Sequence, residues 1–235
     1  MSSAPQVPLG REQLQALRRL DACLLANAIE TFSLRLRNEG FVDYTVRSLS
    51  PELAPMVGYA ATVRIRGSDP PTAGARFSDR SDWWDYIEQL PAPRVVVVQD
   101  VSARPGLCSL VGEVHMEVLR RLHCIGVVTN GAVRDIPAAR SAGFHYFAGS
   151  IAVSHGYVHI VDFGGPVEIG GLKIESGELL HGDLHGVQSV PLSIAARVPQ
   201  AAAAIREHEQ ALIALCRAPD FTLEKLRRFL ASSQP

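Results

Sequence analysis

No two cysteines of this chain stand at C-x-x-C spacing, and the four present, Cys23, Cys108, Cys124 and Cys216, are scattered across 235 residues. That excludes a dense secreted disulfide framework and reads as reduced thiols in a cytosol. Long apolar runs are missing as well. Nowhere do about 18 apolar residues follow one another, and residues 1–10 lack a basic flank leading into an apolar stretch. The expectation is a soluble, cytoplasmic protein with no membrane partner. An excess of one charge is also lacking, because 23 Lys and Arg face 24 Asp and Glu for a formal net charge of -1. That balance supplies no overall field for gripping nucleic acid, which is not expected as a partner. Three motifs are absent too. Gly-x-Ser-x-Gly, the mark of a nucleophile elbow, does not occur, nor does the P-loop pattern, and no Gly-x-Gly-x-x-Gly leads from a strand into a helix.

What is present is apolar material, 47% of the residues, enough to bury one substantial core, so a single domain over residues 1–235 is the default. Residues 1–10, rich in Pro and Ser, read as a flexible lead-in. Apolar residues at helical spacing (Leu14, Leu17, Leu20, Leu24, Leu25, Ala28, Ile29 and Phe32) mark residues 11–37 as an N-terminal helical arm with room for one break. Alternation over residues 58–66 predicts a half-buried strand, ended by a loop carrying Gly67, Pro70, Pro71 and Gly74. A short helix over residues 81–87 precedes the β-branched run 94–100, which reads as a buried strand. Residues 112–122 have helical spacing (Val111, Val114, Val118, Leu119, Leu122), and 125–129 is another buried strand, completing a β-α-β unit. Short strands punctuated by glycine follow between 144 and 191, with Gly170-Gly171 as a hairpin signal. Residues 192–235 close the chain as C-terminal helices. The fold class is α/β, with a parallel βαβ portion, a hairpin-rich portion and helical termini.

In a right-handed β-α-β crossover the loops at the carboxyl ends of both strands converge on one edge of the sheet. Here those loops hold residues 100–112 and 130–135. The helix beginning near Gly112 rises roughly 15 Å over ten residues and the next strand returns roughly 15–20 Å, which sets Gly112-Glu113 opposite Arg134-Asp135. Free amides at a helix N-terminus bind anions, and Gly112 lets a ligand approach the backbone closely. A carboxylate or a nascent enolate oxygen fits there. Asp135 is a hard oxygen ligand suited to Mg2+ or Mn2+, Glu113 can hold a metal-bound water, and Arg134 offers a planar fork to a second carboxylate. By themselves, two dipeptides of such common composition also read as a helix cap and a surface ion pair. The pairs His155/His159 and His181/His185 lie in strand-like segments, where i, i+4 side chains sit about 13 Å apart and cannot share an ion. They read as structural or surface residues, although His155, His181 and His185 are free to line a pocket by tertiary approach. Cys124 reads as core.

The run Gly-Val-Val-Thr-Asn-Gly-Ala-Val-Arg-Asp, residues 126–135, resembles the signature of the RraA-like family, which includes 4-hydroxy-4-methyl-2-oxoglutarate aldolases with oxaloacetate decarboxylase activity. Upstream, Gly112-Glu113 matches that family's pyruvate-binding glycine-acid step; downstream, residues 177–187 with Val190-Pro191 are similar to its closing segment. The combination spans roughly residues 50–210. The resemblance implies a β/β/α swivelling-domain fold, a homotrimer or homohexamer, and a lyase that uses Mg2+ or Mn2+ to cleave the C3–C4 bond of a pyruvate-type 2-oxo acid. It further implies that Asp135 coordinates the metal directly and Glu113 through water, while Arg134 binds the substrate carboxylate and the oxygen at the cleaved bond. The amides of Glu113, Val114 and His115, next to Gly112, would receive the pyruvyl carboxylate. A glutamate from a neighbouring subunit's C-terminal helix completes the family site, and Glu207 and Glu209 are the two candidates. Asn130 departs from the aspartate many members carry, and Leu184-His185 replaces an acidic pair. The rival reading is a non-catalytic regulator that binds a protein partner such as RNase E. Such members lose the acid after the arginine, and Asp135 is present.

Overall fold

The computed structural model of the chain describes residues 8–71 and 80–232; residues 1–7 of the lead-in and Gly74 of the expected loop lie outside them. The N-terminal segment forms α1 (Arg11–Arg18) and α2 (Ala22–Glu30). Asp21 separates them and caps the second helix, its carboxylate accepting the Leu24 amide at 2.8 Å. The expected helical arm over 11–37 therefore breaks once and stops at Glu30. It also lies flat, since Leu17, Leu25 and Ile29 are almost wholly buried.

Next come β1 (Arg47–Ser48), β2 (Met56–Arg66), α3 (Arg80–Gln89), β3 (Arg94–Asp100), α4 (Glu113–Arg121), β4 (Cys124–Val133), α5 (Ile136–Ser141) and β5 (His145–Ile151). Strands β2, β3, β4 and β5 are neighbours and parallel, as crossovers through α3, α4 and α5 require. The chain continues with β6 (His159–Phe163), β7 (Val167–Ile169), β8 (Leu172–Ile174), β9 (Leu179–Asp183) and β10 (Gly186–Val190). It ends with α6 (Leu192–Ala195), α7 (Val198–Arg217) and α8 (Leu223–Ser232). The main sheet runs β1-β5-β4-β3-β2-β9-β10, with β6 also paired to β2. It is mixed and nearly closed. A Cβ added to Gly182 of β9 would sit 2.9 Å from the Phe147 ring of β5, although three strands separate the two in the sheet order.

The twofold alternation of strand side chains builds the layers. Val63, Val96, Val98, Val127 and Tyr146 point to one face, packed with Trp83, Met116 and Ala139 of α3, α4 and α5. Farther along that face Val57 and Tyr59 lie in a cluster with α1, α2 and the start of α7. Ala60, Val95, Val97, Val128 and Phe147 point the other way, onto the β7–β8 hairpin. Gly170 and Gly171 turn that hairpin at φ +51° and +73°, a conformation glycine adopts without a Cβ clash.

Two local expectations are corrected. Residues 58–66 are not a half-buried strand: in β2 only Arg64 and Arg66 are exposed, because the curled sheet has covered layers on both faces. Thr62, which supplied part of the polar alternation, is buried and donates its hydroxyl to the Gly165 carbonyl at 2.8 Å. In α4 the inward stripe is His115, Met116 and Leu119, whereas Val114 is 82% exposed.

Candidate functional site

The candidate site is set by how β3 and β4 end. Beyond Thr129 the pairing of β4 with β5 slips, a β-bulge at Asn130-Gly131 that re-aims the residues after it. Asn130 clamps the bulge to β3. Its Oδ1 accepts the Asp100 amide at 2.8 Å and its Nδ2 donates to the Asp100 carbonyl at 3.1 Å. Asp100 in turn shapes the following loop, its buried carboxylate accepting the amides of Ser102 at 3.0 Å and Gly106 at 2.9 Å. The loop returns along β4 through a bridge between Ser109 and Ala132 and delivers Gly112 beside Arg134.

There the two dipeptides meet. The Glu113 amide donates to Asp135 Oδ2 at 2.8 Å. A Cβ on Gly112 would lie 2.6 Å from both Arg134 Nε and Asp135 Oδ2, so only glycine permits this approach. Asp135 itself has φ +57° and ψ 38°, a left-handed conformation that aspartate tolerates better than most residues and that costs of order 1–3 kcal/mol. Its carbonyl accepts the amides of Ala138 and Ala139 and so starts α5. Arg134 Nε stands 3.6 Å from Asp135 Oδ2, within ion-pair distance but too far for a hydrogen bond. It is buried with no hydrogen-bond partner among the described residues. The plain reading of a helix cap and an ion pair is thus literally present, and it leaves an arginine donor unspent. Behind it, burial pushes the Tyr146 phenol up, and the Asp135 carboxylate adds to the effect while Arg134 opposes it.

A cavity of about 380 Å³ opens beside the pair, lined on this side by Gly112, Arg134, Ser109 and His115. His115 enters with its ring as well as its amide. Nδ1 lies 3.0 Å from the Leu110 carbonyl, and Trp84 Nε1 donates to Nε2 at 3.1 Å. The ring is therefore neutral with its proton on Nδ1, and burial pushes its pKa down, with the bond to the Leu110 carbonyl opposing and the Arg80 guanidinium adding to the effect. Of the three amides expected to receive a carboxylate, that of Glu113 is taken by Asp135; those of Val114 and His115 remain in the first turn of α4.

Other sequence candidates separate. His155 lines the same cavity. His181 is fully buried and bonded through Nε2 to the Leu20 carbonyl at 2.9 Å, a structural role. His185 turns back on Asp183, with Nδ1 3.1 Å from Oδ1, in the β9–β10 turn. Cys124 is core. Glu207 and Glu209 are exposed on α7, which packs chiefly on α2, and neither lines the cavity. Arg80, Trp84 and Asp100 were missed by sequence reasoning. Trp83 and Trp84 stand in the helix expected over residues 81–87, but helical periodicity does not say over which loop a helix folds.

Among the described residues no three His, Cys, Asp or Glu side chains converge to hold a metal ion. Such a donor set does not suit zinc, which takes three or four protein ligands. Asp135 and the exposed Glu113 do suit Mg2+ or Mn2+, hard cations commonly held by one or two carboxylates together with water and substrate oxygens.

A family model described as RraA-like, Aldolase/RraA, matches residues 22–188. The chain belongs to the RraA-like family. This RraA-like protein is similar to Protein DlpA of Legionella pneumophila subsp. pneumophila (strain Philadelphia 1), with 28% identity over 153 residues covering 64% of this chain and 24% of that protein. It is also similar to a Halalkalibacterium halodurans protein named as a 4-hydroxy-4-methyl-2-oxoglutarate aldolase, with 30% identity over 103 residues covering 43% of this chain and 48% of that protein. The chain thus spans about a quarter and about half the length of these curated relatives. An uncharacterized protein from Pseudomonas syringae pv. tomato str. DC3000 shares the fold, with TM-score 0.73 and 23% identity over 97% of this chain and 98% of that one. The family holds both aldolases or decarboxylases and non-catalytic RraA regulators. Among the described residues no helix is long and apolar enough to cross a membrane.

Proposed function

We propose that this RraA-like protein is a divalent-metal-dependent lyase that cleaves the C3–C4 bond of a pyruvate-type 2-oxo acid, by aldol cleavage or by β-decarboxylation of oxaloacetate. One observation carries the reading: Gly112 packs against Arg134 and Asp135, so a helix start, a hard carboxylate and an unspent guanidinium donor surround one point. The first-turn amides of Val114 and His115 hold the substrate carboxylate at the positive end of α4. Arg134 binds the oxygen at the bond to be cleaved. Bound Mg2+ or Mn2+, held by Asp135 with Glu113, supplies neutralisation of the charge that develops on the enolate oxygen. Glu113, exposed beside the turn, takes the proton of the C4 hydroxyl as the C3–C4 bond breaks and C4 becomes a carbonyl, and delivers a proton to C3 of the enolate to give pyruvate; in β-decarboxylation, where carbon dioxide leaves, only the protonation at C3 is required. A Schiff base is not available, since the chain's lysines are Lys173 and Lys225, on β8 and α8. The presence of Asp135 weighs against the regulator reading.

The test is a coupled pyruvate-release assay on oxaloacetate and on 4-hydroxy-2-oxo acids with Mg2+ or Mn2+. Activity should vanish with EDTA and in Asp135→Ala. Arg134→Lys should lose on the order of 10²–10³ in kcat, because a point charge does not reproduce the planar fork. Pyruvate release that survives both EDTA and Asp135→Ala rejects the metal-dependent reading.

A further inference from the structure

The cavity is far larger than pyruvate alone requires, and we infer that it selects 2-oxo acids whose departing half is bulky and apolar in its body and also carries an anionic group, with Trp84 as its wall and Arg80 as its charge partner. This rests on reading Gly112 and Arg134 as the pyruvyl end. Besides those two residues the lining includes apolar Leu110, Val118 and the half-buried Trp84, and the guanidinium of Arg80 with His155. None of the described lining residues is acidic: Asp135 and Glu113, which meet beside Gly112, do not line the cavity. The volume of about 380 Å³ falls in the range, about 300–1,000 Å³, that takes a ligand far larger than pyruvate. Oxaloacetate, which loses only carbon dioxide, leaves most of that space unfilled.

Two features show that the wall is built rather than incidental. Trp84 is held by its hydrogen bond to His115, and His115 by its bond to the Leu110 carbonyl, so the indole is tied to the loop that delivers Gly112. The His115 ring also meets Trp83 and Trp84 edge-on, at 5.6 and 5.8 Å between centroids. A wall fixed before the ligand arrives loses little entropy on binding. Arg80 stands in the first turn of α3, one helical turn before Trp84, and is near enough to bear on His115. Together with Arg134 it favours an anionic substituent and repels a cationic one, so the same charges that attract one class of substrate reject another.

The chain's two tryptophans are Trp83 and Trp84, so intrinsic fluorescence reports on this cavity. Wild-type protein is titrated with pyruvate, phenylpyruvate and 4-carboxyphenylpyruvate, with calorimetry for the variants. Kd should fall roughly tenfold or more from pyruvate to phenylpyruvate, as burying a ring predicts, and several-fold further with the added carboxylate. Arg80→Gln should erase the carboxylate's advantage alone. Trp84→Leu should erase the ring's, and Trp84→Phe should keep most of it, which separates a lost wall from a lost fold. Equal affinity for the three ligands, or variants that bind as wild type does, overturns the inference. Pyruvate release from oxaloacetate without preference among the analogues overturns it alone. Failure to release pyruvate from any substrate rejects the proposed function, and the titration still reads the cavity.

Discussion

Three histidines, His115, His145 and His181, are buried, and burial is the first cause pushing each pKa down. His145 moves furthest, to about 4, with the Arg18 charge adding to burial and Glu52 opposing it. Between pH 6.5 and 4 the unfolded chain binds a proton on this residue that the folded chain does not. The stability it contributes is therefore complete above its unfolded pKa and drains as pH falls toward 4, reaching about 2 kcal/mol lost at pH 5. The urea midpoint should accordingly be lower at pH 5 than at pH 7, and His145→Gln should flatten part of that difference. An unchanged pH slope in the variant would show that His145 is not the group. At this scale the sequence was partly readable. Gly112 was recognisable as a point of close approach, whereas the left-handed backbone of Asp135 and the donation of the Glu113 amide to its carboxylate depend on where two distant loops meet.

At the scale of elements, the β-α-β unit was legible because β3 and β4 are continuous β-branched runs, and the crossover rule then places their carboxyl ends together. The burial of β2 was not, since a sheet that curls onto itself covers a face that local alternation marks as open. The α4 stripe was misread because valines at 114 and 118 look apolar whichever way the helix turns, while His115 packs inward under two tryptophans. Asn130 shows the same limit. It departs from the aspartate that many family members carry, and its side chain is spent on both backbone groups of Asp100. Asn130→Asp removes the donor and turns a carboxylate toward the Asp100 carbonyl, so it should cost about 1–3 kcal/mol in urea unfolding at neutral pH. Unchanged stability together with an altered substrate preference would instead make Asn130 a substrate contact.

For the whole molecule, the C-terminal helices were legible as helices, but their purpose was not, because an apolar stripe has the same period whether it meets a core or a partner. None of the residues of α8 is buried, and Leu223 and Leu230 are 60% and 46% exposed. An amphipathic helix left uncovered in this way fits the homotrimer or homohexamer that the family resemblance implies, in which α7 of one subunit would carry Glu207 or Glu209 to the Arg134 cavity of the next. Such a head-to-tail arrangement would close into a ring and make every site a shared one. It predicts complementation. Arg134→Lys and Glu207→Gln, each inactive alone, should regain about one-quarter of wild-type pyruvate release when co-expressed in equal amounts, because a site needs an intact arginine from one subunit and an intact glutamate from its neighbour. If Glu209 is the contributing residue, Glu209→Gln complements and Glu207→Gln is active by itself. Light scattering supplies the second reading, with a mass of three or six times 25.4 kDa that falls when Leu223 and Leu230 are both changed to Asp. Full activity in both glutamine variants would mean that each chain completes its own site, and α7 and α8 would then serve assembly alone.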